Sequence, residues 1–79
     1  MKPDVAIRCR VCGKEWTKEE IQKMLGGKEG IEREKTIAKL WRDHLIKHMP
    51  PHRAYMVFMG GMKQISKFLE VDVEWLEKV

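Results

Sequence analysis

The stretch RCRVCGKEW, Arg8–Trp16, is answered later in the chain by WRDHLIKH, Trp41–His48. How these two stretches are read together decides the fold. Two residues separate Cys9 from Cys12, and three separate His44 from His48. A thiolate pair on a tight turn and an imidazole pair one helical turn apart are donors that can converge tetrahedrally on zinc. The intervening residues 13–43 form a long loop between the pairs. Lengthening such a loop costs little, about 0.6 kcal/mol per doubling. The expectation is therefore one structural zinc, held by Cys9, Cys12, His44 and His48.

A chain of 79 residues has reason to recruit a metal. A core of that size seldom supplies more than roughly 3–5 kcal/mol by itself. The hydrophobic fraction, 43%, is ordinary for a folded chain and argues against wholesale disorder. No apolar run approaches the ~20 residues needed to span a bilayer, and MKPDVAIRCR has no signal-peptide core. A soluble, intracellular, cytoplasmic protein with no membrane association is expected. In that setting two cysteines are ligands or redox thiols more often than a disulfide. Against the redox reading, the pair is followed by Gly13-Lys14 and a turn rather than by a helix. Unconnected thiols and imidazoles are the remaining alternative. His52 is a spare imidazole beyond Pro50-Pro51, expected on the surface.

The local patterns predict a small α+β domain, mainly α. Val5, Ile7, Val11 and Trp16 alternate with basic residues around the cysteines, as in a short β-knuckle with CxxC at its turn and Gly13 at positive φ. Thr17 and Glu20 form a capping-box pattern for a helix carrying Ile21, Met24 and Leu25 and ending at Gly26-Gly27. The longest helix is expected over about 31–49, stopped by Pro50-Pro51. Ile37, Leu40, Trp41, His44, Leu45 and His48 share its inner face. AYMVFMGG, residues 54–61, reads as either strand or helix. Two short helices over 62–69 and 72–79 complete about four helices around the zinc. One domain over 1–79 is expected, with a zinc-binding part at 1–49 and a helical hairpin at 50–79.

CRVCGKEW resembles the first half of a two-Cys, two-His zinc finger, including the Gly-Lys after the second cysteine and an aromatic at Trp16. WRDHLIKH resembles the second half, with Trp41 in place of the family's usual leucine. The family keeps about a dozen residues between its ligand pairs, whereas this chain inserts a capped helix and a glycine-rich link. KQISKFLEVDVEWLEKV, Lys63–Val79, resembles a helix-turn-helix, with Asp72 capping the second helix. Asp72, Glu74 and Glu77 would then face phosphates, which disfavours that helix as a groove reader.

Charge is unevenly placed. Residues 1–69 carry 15 Lys/Arg against 8 Asp/Glu, while residues 70–79 carry one Lys against four acids. The basic body favours a polyanionic partner. Lys35, Lys39 and Arg42 form one ridge of the long helix, with Arg8, Arg10 and Lys14 on the knuckle in support. The leading expectation is a small DNA-binding protein, a transcriptional regulator reading duplex DNA. The competing class is a protein-interaction module or homodimer docking through Phe68, Trp75 and Leu76. An enzyme is not expected. Four protein ligands leave zinc no open position, no H-E-x-x-H spacing is present, and no nucleophile–base set is visible.

Overall fold

In the computed structural model, which describes residues 2–79, the order of elements is β1 (Val5–Cys9), β2 (Glu15–Thr17), α1 (Lys18–Leu25), α2 (Gly30–Leu45), α3 (Pro51–Met59), α4 (Met62–Ile65), β3 (Leu69–Val71) and α5 (Val73–Lys78). Five helices and a three-stranded antiparallel sheet make this a small α+β chain, as the patterning predicts. The described residues group into two compact units, one comprising residues 2–26 together with Ser66–Val79, the other Gly27–Ile65.

The first unit is built on the sheet, in the order β2-β1-β3. β1 is central, so Val5, Ala6 and Ile7 are all buried rather than alternating. A bulge between Val5 and Ile7 shifts the register, after which Ile7 pairs with Trp16 on one side and with Val71 on the other. Arg8 lies between Glu15 on β2 and Glu70 on β3, and its Nη1 is 3.8 Å from Glu70 Oε2. α1 packs on β1 and β2 and buries Ile21 and Leu25, while Met24 on the same helix is exposed.

Both ends of α1 follow the sequence. Thr17 Oγ1 accepts a hydrogen bond from Glu20 N at 3.1 Å, and Gly26, at φ 31°, closes the helix with a bond from its N–H to Gln22 O. Thr17→Ala is expected to cost about 1 kcal/mol. Urea unfolding of the two proteins measures it, and an unchanged midpoint would mean the cap contributes nothing.

Two expectations are corrected. The long helix ends at Leu45, not near residue 49. Lys47 N and His48 N bond to His44 O and Leu45 O, tightening the chain into a turn. Pro50 disfavours helical geometry at Met49, and Pro51 then opens α3 as its first residue. α3 also settles the ambiguous residues up to Met59 as helix.

The C-terminal segment does not form the expected helix-turn-helix. α4 has four residues, and Leu69–Val71 is a strand hydrogen-bonded to β1. The helical reading of 62–69 puts Phe68 and Leu69 at the end of a helix. Leu69-Glu70-Val71-Asp72-Val73 in fact alternates apolar and polar, which is the period of a strand.

α5 is capped as predicted, with Asp72 Oδ1 accepting from Trp75 N at 3.2 Å. That bond, helped by Lys18 Nζ at 3.3 Å from Asp72 Oδ2, holds the Asp72 carboxyl below its ordinary value. The folded pKa is depressed, so this contribution is present above the unfolded carboxylate range and is lost as pH falls through the folded value. Asp72→Ala should therefore lower the melting temperature at neutral pH, with the gap to the unsubstituted protein closing on acidification. A gap independent of pH would contradict this.

The second unit is helical. α2 packs against α3, and α3 against α4, with Trp41, Leu45, Ala54, Val57 and Ile65 buried. Ile37 and Leu40, expected on the inner face of α2, are half-buried.

Candidate metal centre

The cysteine pair sits where β1 runs into the turn before β2, as the knuckle pattern predicts. Cys9 is the last residue of β1 and is fully buried, whereas Cys12 is exposed on the turn. The turn is closed by backbone bonds from Gly13 N to Cys9 O and from Cys9 N to Lys14 O, at 2.9 and 2.8 Å. Gly13 takes φ 78°, a conformation that side-chain-bearing residues rarely adopt. The Lys14 backbone N–H hydrogen-bonds to the Cys12 sulfur, and the Cys9 side chain and the Lys14 charge add to the effect. Together they pull the Cys12 thiol below its ordinary value. The turn thus favours the thiolate, which is the form that ligates a metal.

The histidine pair lies at the C-terminal end of α2. His44 lies in the last turn of α2 and is buried. His48, half-buried, lies in the turn that follows the helix. The end of α2 therefore falls between the two rings, yet the spacing still brings them together. Their Nε2 atoms are 3.2 Å apart, with ring planes at 71°. For an ion bound tetrahedrally by two imidazoles at about 2.0–2.1 Å, the nitrogens would be about 3.3 Å apart. The same separation also suits an N–H···N hydrogen bond when the two rings hold complementary tautomers. The pair has the right spacing for a metal without needing to rearrange.

The ligand atoms of Cys9, Cys12, His44 and His48 all lie within 4.8 Å of one another. The edges of a tetrahedral two-sulfur, two-nitrogen site, with Zn–S about 2.3 Å, run from roughly 3.3 to 3.8 Å. The four side chains named from the sequence can together hold a metal ion. His52 is exposed on the first turn of α3 and is not part of the group.

Comparison with family models, curated proteins and solved structures finds no match. The two-Cys, two-His resemblance therefore rests on the ligands and their geometry alone.

The basic residues divide into two sets. On α2, Lys35, Lys39 and Arg42 are exposed and spaced along one side of the helix, with Arg42 Nε 4.0 Å from Asp43 Oδ1. The knuckle residues have structural partners. Arg10 Nε donates to Ser66 O at 2.9 Å, Arg8 pairs with Glu70, and Lys14 Nζ lies 5.5 Å from the Trp16 ring centroid. Arg10 N also bonds to Phe68 O, so this residue secures the cysteine turn to the chain entering β3. Sequence reasoning missed that role, because the partner strand went unseen.

Phe68, Trp75 and Leu76, expected as anchors for a partner, are half-buried. Lys18 Nζ lies 5.7 Å from the Trp75 ring centroid. The strongly exposed apolar side chains are elsewhere, chiefly on α3. No helix among the described residues is long and apolar enough to cross a membrane.

Proposed function

We propose that this chain is a zinc-stabilised nucleic-acid-binding protein, in which Cys9, Cys12, His44 and His48 hold one structural zinc and α2 contacts duplex DNA. The observation that carries the zinc reading is the four ligand atoms within 4.8 Å of one another. Two thiolates and two imidazoles are a soft and borderline donor set that suits zinc and disfavours calcium or magnesium, which take oxygen ligands. With every position filled by protein, bound zinc has no site for a reacting water. On this reading the metal serves folding rather than catalysis.

The DNA reading is supported by the exposed ridge of Lys35, Lys39 and Arg42, on the same helix as His44. A helix fixed near one end by a metal ligand presents such a ridge at a defined angle. The basic balance of residues 1–69 supplies long-range attraction for a polyanion. Arg8, Arg10 and Lys14 lend charge near the cysteine turn, while their structural partners limit how far they can reach.

The test is fluorescence anisotropy of a labelled duplex titrated with the zinc-loaded protein between about 50 and 200 mM salt. Each phosphate contact contributes about 0.9 to the slope of log affinity against log salt. Replacing Lys35, Lys39 and Arg42 together with alanine should flatten the slope by nearly three such contributions. Binding that ignores salt, or no binding even at low salt, would remove the DNA reading and leave the zinc reading intact.

A further inference from the structure

α3 buries Ala54 and Val57 and leaves a different face outside. Tyr55 is 57% exposed, Met56 70% and Met59 64%, and Met62, just past Gly60-Gly61, is 40% exposed. At 3.6 residues per turn, Tyr55, Met56 and Met59 fall within about 100° of the helix circumference, with His52 among them and Arg53 at the edge. Single exposed apolar side chains are common, but three large ones on one side of a nine-residue helix form a patch. Residues 44–65 contain no Asp or Glu, but they include Lys47, Arg53 and Lys63, all exposed.

We infer that this face of α3 docks an acidic amphipathic helix from another protein, its apolar residues against Tyr55, Met56 and Met59 and its carboxylates against Lys47 and Arg53. Methionine is unbranched and polarisable, so it adapts to the uneven ridge of an apolar helix face. The cations of this acid-free segment favour a partner with negative flanks. A second copy offering the same face would bring two sets of Lys47 and Arg53 together, like charge against like. Nucleic acid would use these cations but gain little from the methionines, which make neither hydrogen bonds to phosphate nor stacks with bases. A membrane-surface helix usually inserts Trp, Phe or Leu, none of which is on this face. The inference is independent of the DNA reading, which uses α2.

The experiment uses the full chain, loaded with one equivalent of zinc and labelled with ¹³C at the methionine methyls. The probe is a synthetic helical peptide with leucines at i, i+3, i+4 and i+7 and glutamates on the flanks. Its counterpart has lysines in place of the glutamates. The acidic peptide should shift the Met56 and Met59 methyls and leave Met24 unmoved, and the lysine peptide should not bind. Met59→Glu should weaken the acidic peptide about tenfold or more, as loss of an anchor would. Should that variant fail to fold, the methyl map of the unsubstituted protein decides. Four results would overturn the inference: no shift with the acidic peptide, equal binding of both peptides, self-association through these methyls on sedimentation, or the same shifts produced instead by phosphatidylglycerol vesicles or duplex DNA.

Discussion

Replacing His44 and His48 together with alanine is expected to abolish both metal binding and folding. The expected signature is loss of the helical circular-dichroism signal and of any cooperative thermal transition. Zinc binding contributes apparent free energies of about 10–16 kcal/mol in finger peptides near neutral pH. The core of a chain this small supplies roughly 3–5 kcal/mol. The metal contribution dominates, so removing two of four ligands should leave little folded protein at any practical temperature. EDTA should reproduce the effect on the unsubstituted chain, and added zinc should reverse it. Zinc should fail to rescue the double variant. His52→Ala, exposed and outside the ligand group, should change neither metal content nor melting temperature. A double variant that melts like the unsubstituted protein would mean that the fold does not depend on the metal.

The second large effect is expected at Ile7. This side chain is 1% exposed on the central strand, paired with Trp16 on one side and Val71 on the other. Truncating a buried isoleucine to alanine typically costs about 2–5 kcal/mol, from lost transfer energy and the cavity left behind. That is about as much as the whole core provides. Zinc contributes more than this loss, so the loaded Ile7→Ala chain should still melt cooperatively, but about 10 °C or more below the loaded unsubstituted protein. Thermal scans of the two proteins, each with one equivalent of zinc, test this. A loaded variant that melts with the unsubstituted protein would show that the central strand contributes little to the stability of the fold.

The group of four side chains that could hold a metal was legible in the sequence because coordination chemistry constrains both residue type and spacing. Cys9 and Cys12 on a turn, with His44 and His48 about one helical turn apart, match the donor types and steps that a tetrahedral zinc site requires. The caps at Thr17 and Asp72 were legible because each is a local bond between a side chain and a backbone N–H three residues on. The helix end at Leu45 was not, because ring placement tolerates a tightened turn and the inward periodicity continues through His48.

β3 was missed for a different reason. It has three residues, and its partner β1 lies some sixty residues earlier, so local propensity could not reveal the pairing. The alternation from Leu69 to Val73 carried the strand signal, but a helix-turn-helix spacing fitted the same hydrophobic residues. Without that strand, the bond from Arg10 to Ser66 and the ion pair between Arg8 and Glu70 had no visible partners, and both arginines looked like phosphate contacts. The charge of a residue is readable from sequence, but whether that charge is already engaged is not.

The most direct test of the proposed zinc centre is X-ray absorption at the zinc edge on protein purified without added metal. One zinc per chain is expected, with two sulfur neighbours at about 2.3 Å and two nitrogen neighbours at about 2.0–2.1 Å. The sulfur shell should disappear when Cys9 and Cys12 are replaced. A folded protein carrying no zinc, or a zinc surrounded only by nitrogen and oxygen, would contradict a two-thiolate, two-imidazole centre.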